Sequence, residues 1–193
     1  MRGWTTSGAD WYLMRATGVV TLLLLTAVFV LGIATTSRWR ARRLPGFATL
    51  GLHRSISLLA VVFLAVHVVT ALIDPYAVAS AAAVVVPFVA GRSAFWIGLG
   101  AVSLDLMLAL IVTSLLRRRL SLRLWRGVHW AAYLAWPLAL AHSLGSGSDT
   151  GSAWMRVIAA VCVGAVVASA TARLGRAGAG KHLPQRPAHQ GAA

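Results

Sequence analysis

Long apolar runs alternate with short basic segments along most of this chain. Five runs approach the roughly 20 residues that a helix needs to cross a bilayer. They lie near residues 11–35, 52–73, 95–116, 127–145 and 154–174. The fourth run is the shortest and contains Pro137, which a membrane helix can tolerate. The pattern predicts an all-α fold, an integral membrane bundle of five transmembrane helices.

The composition agrees with a membrane protein and argues against a nucleic-acid-binding one. Hydrophobic residues make up 59% of the 193 residues, and the mean hydropathy is +0.77. The net charge of +14 comes from arginines that cluster between the apolar runs, whereas a nucleic-acid interface needs them on one polar surface. The single cysteine, Cys162, excludes a disulfide within the chain and a CxxCH haem attachment.

Basic residues are unequally divided between the two predicted sides of the membrane. Thirteen of them fall on one side, against Arg2, Arg92 and Arg156 on the other. The thirteen are Arg38, Arg40, Arg42, Arg43, Arg117, Arg118, Arg119, Arg123, Arg126, Arg173, Arg176, Lys181 and Arg186. Because cytoplasmic loops carry the excess of arginine, we expect the N-terminus outside and the C-terminus in the cytoplasm. Residues 1–174 form one predicted membrane domain, and residues 175–193 a disordered basic cytoplasmic tail.

Four histidines lie inside the second and fourth apolar runs. His53 and His67 are fourteen residues apart, which places them on one helix face about 21 Å from each other. His129 and His142 are thirteen apart, or about 140° in a straight helix, so a kink at Pro137 with local rewinding is needed to align them. The topology makes both helices parallel, so we expect His53 opposite His129 and His67 opposite His142.

These two histidine pairs predict two stacked metal centres between the second and fourth helices. No Asp, Glu or Cys accompanies either pair, so a closed tetrahedral zinc site lacks ligands, whereas copper stays open. A porphyrin asks for only two axial ligands and an apolar slot. Two haem b groups therefore fit best, an inner one on His53 and His129 and an outer one on His67 and His142.

Three arginines are candidate partners for haem propionates through charge-assisted hydrogen bonds. Arg54 and Arg126 stand beside the inner histidines, where they also suit a role as cytoplasmic anchors. Arg15 lies about one turn inside the first run, and we favour the propionate role for it. Asp105, the acid in the middle of the third run, has two possible roles, a hydrogen bond to a neighbouring helix or a proton relay, and we favour the hydrogen bond. The apolar loop at 74–94 is expected to fold back over the outer site.

Beyond the histidine spacing, the amino-acid sequence resembles the ferric reductase-like transmembrane domain family over about residues 10–172. The resemblance rests on WYLMRATGVV, GLHRSISLLAVVFLAVHVV, LDLMLALIVTSLLRRRL and WRGVHWAAYLAWPLALAHSLGSGSD. The family includes ferric reductases, the membrane part of NADPH oxidases and the haem subunit of a bacterial periplasmic methionine-sulfoxide reductase. Its signature is two parallel helices with paired histidines thirteen or fourteen residues apart.

The resemblance implies an oxidoreductase, or the haem subunit of one, in a bacterial plasma membrane. Electrons would pass from a cytoplasmic-side donor to an outer acceptor such as a ferric chelate or a periplasmic reductase. Large family members carry a fused flavin and nicotinamide domain that this sequence does not show. We therefore expect the donor to be a separate protein or a quinol, with any flavin on that partner, and no nucleic acid as a partner.

A second hypothesis stays open on the residues alone. It is a non-redox membrane module, either a partner anchor or a small transporter, whose histidines bind metal or protons. A reducible haem spectrum of the purified protein distinguishes the two hypotheses.

Overall fold

The structure is a computed structural model that describes residues 7–36, 46–74, 80–91, 93–147 and 149–179. All regular secondary structure in these ranges is helical. The helices are α1 (Ser7–Thr36), α2 (Gly46–Ile73), α3 (Ala81–Val85), α4 (Ala94–Leu115), α5 (Leu122–His129), α6 (Ala132–Ser146) and α7 (Ala153–Ala179).

Four of these helices are long and apolar enough to cross a membrane. They are α1, α2, α4 and α7, whose apolar stretches run over Gly8–Thr35, Gly46–Ile73, Ala94–Leu115 and Ala153–Gly175. They coincide with the first, second, third and fifth predicted runs. The chain is therefore an all-helical, multi-pass membrane protein within the described residues, as the apolar pattern indicates.

The fourth predicted span, 127–145, is not confirmed as a single transmembrane helix. It becomes the end of α5 and most of α6, with a break at Trp130 and Ala131. The 15 residues of α6 rise only about 22 Å, which is less than the roughly 30 Å of a hydrocarbon core. A span here needs α5 and α6 together.

The break between α5 and α6 overwinds the chain between His129 and His142. Four backbone hydrogen bonds there join residues i and i−3: Trp130 N to Gly127 O (3.2 Å), Ala131 N to Val128 O (2.8 Å), Tyr133 N to Trp130 O (3.0 Å) and Leu134 N to Ala131 O (3.0 Å). Each residue of such a turn rotates the chain by about 120° instead of about 100°. A few such residues add roughly 60–80°, so this stretch, about one turn before Pro137, provides about half of the roughly 140° that the thirteen-residue spacing requires.

Helix α6 is held between α1 and α4 by packing and by two buried hydrogen bonds. The indole Nε1 of Trp136 donates to Oγ1 of Thr26 in α1 at 2.9 Å, and Oγ of Ser103 in α4 donates to the carbonyl of Ala135 at 2.9 Å. The buried core around this junction consists of Leu22, Trp136, Met155 and Cys162. In contrast, α2 packs closely along α1 and faces α6 without close backbone packing.

Other predicted features lie at the ends of the helices. Helix α7 continues to Ala179, so the first residues of the predicted tail are helical, and residues 180–193 lie outside the described part. The arginines at 38–43, with Arg2 and Arg92, lie outside it as well. In the apolar loop, α3 packs against α4, and the ring of Phe88 lies against Gly98.

Candidate functional site

The rings of His67 and His142 lie next to each other at one end of the bundle. Their centroids are 6.4 Å apart and their planes cross at 73°. Two imidazoles that bind one metal ion from opposite sides have ring centres about 6.5 Å apart, given metal–nitrogen bonds of about 2.1 Å. The spacing of this pair, here called the His67 site, suits a shared metal ion.

Both rings of the His67 site are fixed in the same tautomer by the backbone. Nδ1 of His67 donates to the carbonyl of Met14 at 2.8 Å, and Nδ1 of His142 donates to the carbonyl of Trp96 at 2.9 Å. A carbonyl can only accept, so Nδ1 carries the hydrogen and Nε2 keeps its lone pair. Metal-binding histidines are oriented by bonds of this kind, which also make the imidazole a better ligand.

A glycine lies against each of these two rings. A Cβ atom on Gly18 would lie 2.9 Å from Cε1 of His67, and one on Gly100 would lie 2.6 Å from Nδ1 of His142. In both helices, the carbonyl that accepts from the histidine belongs to the residue four positions before the glycine. One helical turn thus provides both the acceptor and the space for the ring.

His53 and His129 form a second pair, here called the His53 site. Their rings lie near each other, and both are half-buried. The ring of His53 also meets a glycine, because a Cβ on Gly32 would lie 3.6 Å from its Cε1. Gly18 and Gly32 are fourteen residues apart, as are the two histidines of α2 that they face.

The His53 site contains two buried nitrogens without a hydrogen-bond partner in the described part of the chain, Nδ1 of His129 and Nε1 of Trp125. The ring of His53 lies within hydrogen-bonding reach of the backbone of Val28, four residues before Gly32. The ring of Trp125 stacks on that of His129, with centroids 4.7 Å apart and planes at 24°. Buried polar atoms in proteins almost always have partners, so these two together indicate a place where a further group binds.

The three arginines considered as propionate partners lie in different surroundings. Arg54 and Arg126 are exposed. The guanidinium of Arg15 forms an ion pair with the carboxylate of Asp149 and lies 4.2 Å from the ring centroid of Trp11. The structure therefore gives Arg15 an acidic partner from its own chain.

Each site fits the demands of a haem better than those of a bare metal ion. Within the described ranges, no three His, Cys, Asp or Glu side chains come together as a metal-ion site. Each site offers two imidazoles, which are the axial ligands that a porphyrin iron needs. The unpartnered nitrogens of His129 and Trp125 and the ring spacing of the His67 site agree with such a group.

Sequence reasoning missed five residues that the structure brings to these sites: Gly18, Gly32, Gly100, Trp125 and Asp149. The fourteen-residue spacing of Gly18 and Gly32 repeats that of the α2 histidines and could have indicated the first two. Asp149 is far from Arg15 in the sequence, so no local pattern indicates that pair.

Long apolar helices with histidine pairs between them define the class of protein, a multi-pass helical membrane protein with candidate metal centres inside the bundle. The family described as "Ferric reductase like transmembrane component" matches residues 17–140, more than half of the chain, and the chain belongs to this family. The match confirms the resemblance and includes three of the four histidines, ending just before His142. No curated protein and no solved structure matches the chain.

Proposed function

We propose that this protein is a membrane di-haem b electron-transfer protein of the ferric reductase-like kind. The observation that carries the proposal is the His67 site, where two facing rings hold Nδ1 on backbone carbonyls and leave Nε2 available. Membership of the family supports a membrane redox module.

In this proposal, His53 and His129 hold an inner haem, and His67 and His142 an outer one. A haem bound by the two imidazoles of each site would supply one-electron redox chemistry, which suits electron transfer. The chain contributes orientation through the backbone carbonyls of α1 and α4, and its apolar helices exclude water. Arg54 and Arg126 are proposed propionate partners at the inner end.

The direction of transfer is proposed from the distribution of arginine. With the N-terminus outside and α5 and α6 crossing together, the His53 site lies near the cytoplasm and the His67 site near the outer face. Electrons then pass from a cytoplasmic-side protein or quinol to an outer ferric chelate or periplasmic reductase. An inside-negative potential assists this movement by about 2.3 kcal/mol per 100 mV. A bacterial plasma membrane provides both the cytoplasmic side for the donor and the inside-negative potential.

The absorption spectrum of the purified full-length chain in detergent tests the proposal. We expect Soret and α bands that change on reduction with dithionite, and two haems per chain in a pyridine haemochrome assay. A variant without the histidines at 182 and 189 should keep both haems, whereas His67→Ala should keep one. A colourless preparation from haem-supplemented cells would contradict the proposal and favour a non-redox module.

A further inference from the structure

The ion pair between Arg15 and Asp149 lies beside the His67 site. The side chain of Arg15 is 14% exposed and that of Asp149 34% exposed, so the pair is partly shielded from solvent. The ring of Trp11, one turn before Arg15, lies against the guanidinium, with its centroid 4.2 Å from Cζ of Arg15. Arg15 is thus held by an acid and an aromatic ring together.

The ion pair connects the two stretches of backbone that position the two histidines. Arg15 directly follows Met14, whose carbonyl accepts the hydrogen of His67. Asp149 lies in the turn after α6, the helix of His142. Oγ1 of the neighbouring Thr150 donates to the carbonyl of Leu144, near the end of α6, at 2.6 Å, so the turn is tied to the helix.

We propose that Arg15 and Asp149 are positioning residues for the His67 site, and this inference rests on the proposed function. The ion pair fixes the outer end of α1 against the turn after α6, and thereby sets the distance between the rings of His67 and His142. This differs from direct binding of a haem propionate by Arg15, because Asp149 occupies the guanidinium. An ion pair shielded from water is also less weakened by salt than an exposed one.

The test uses the full-length protein in detergent and compares Arg15→Gln, Asp149→Asn, the double variant, and the exchange Arg15→Asp with Asp149→Arg. Arg156→Gln is the matched control, because Arg156 is an exposed arginine at the start of α7. The measurements are haems per chain, the low-spin electron paramagnetic resonance signal of each haem, and their midpoint potentials. The exchange variant guards against misfolding, since it retains an ion pair with reversed polarity.

We expect each single variant to broaden or shift the signal of one haem only and to lower its occupancy. The double variant should be no worse than either single variant, because both remove the same interaction. The midpoint potential should be lower in Arg15→Gln than in Asp149→Asn, since the first removes a positive charge near the His67 site and the second a negative one, whereas a contact far from this site leaves the two potentials equal. The exchange variant should recover much of the native signal, and Arg156→Gln should match the native protein.

Three results would overturn the proposal. If Arg15→Gln changes the haem signal and Asp149→Asn does not, Arg15 instead binds a haem propionate. A native protein with two haems and unchanged signals in every variant would reject the positioning role alone. A native protein without haem would reject the proposed function, and this inference with it.

Discussion

Alanine at position 100 would place a methyl group 2.6 Å from Nδ1 and 2.8 Å from Cε1 of His142. Carbon atoms in contact prefer separations of about 3.5–4.0 Å, so the ring has to move by roughly 1 Å. That movement takes Nδ1 away from the carbonyl of Trp96, to which it donates at 2.9 Å. We predict that Gly100→Ala weakens the binding of the outer haem.

The size of the effect follows from two contributions. Overpacking of this kind costs about 1–3 kcal/mol, and the lost hydrogen bond about 1 kcal/mol. Together they correspond to a roughly 30- to 1,000-fold weaker affinity, at a factor of ten per 1.4 kcal/mol. Helix propensity acts in the opposite direction, because alanine is favoured over glycine inside a helix by about 0.5–1 kcal/mol.

The assay is haem stoichiometry and haem release to apomyoglobin for a series of glycine variants. Gly18→Ala should resemble Gly100→Ala, because its Cβ would lie 2.9 Å from Cε1 of His67. Gly32→Ala should be mild, since its Cβ would lie 3.6 Å from Cε1 of His53, an ordinary contact. Gly164→Ala is the matched control, with no neighbouring atom within 4 Å of its Cβ.

The order of the four variants in haem retention shows whether the glycines hold the histidine rings in place. If Gly100→Ala and Gly18→Ala retain both haems with native release rates, the glycines do not hold the rings in place. If Gly164→Ala loses haem as readily as they do, the effect belongs to the helix and not to the histidines.

Two further predictions concern the neighbourhood of these sites. Trp125→Ala should lower the occupancy of the inner haem, because it removes the ring that stacks on His129. Haem stoichiometry measures this occupancy. An equal loss of haem in Trp130→Ala, a variant of a residue that is 64% exposed, would show that the stacking is irrelevant. Thr26→Val should lower the free energy of unfolding by about 1–3 kcal/mol, because Nε1 of Trp136 is left buried without its acceptor. Unfolding of the detergent-solubilised protein measures this change, and an unchanged unfolding midpoint would contradict the prediction.

Apolar length was enough to predict most of the helices of this fold. The second helix begins at Gly46, six residues before the predicted start at 52, since Phe47 and Leu50 extend the apolar run. The fourth predicted span was less accurate, because hydropathy does not report the tightened turn at Trp130 and Ala131. Local backbone hydrogen bonds decide where that helix breaks.

The sequence was enough to predict the histidines of the candidate site, but not the residues that hold their rings in place. Helical periodicity placed His53 and His67 on one face, whereas His129 and His142 needed the added rotation at the break between α5 and α6. The carbonyls and glycines that fix the rings come from α1 and α4, so they depend on how the helices pack. The acid that pairs with Arg15 depends on the path of the turn that contains Asp149.

The central claim is that each histidine pair shares one iron, and electron paramagnetic resonance of the four single His→Ala variants tests it most directly. We predict that His67→Ala and His142→Ala abolish one and the same low-spin signal, and that His53→Ala and His129→Ala abolish the other. Loss of different signals in His67→Ala and His142→Ala would contradict the claim.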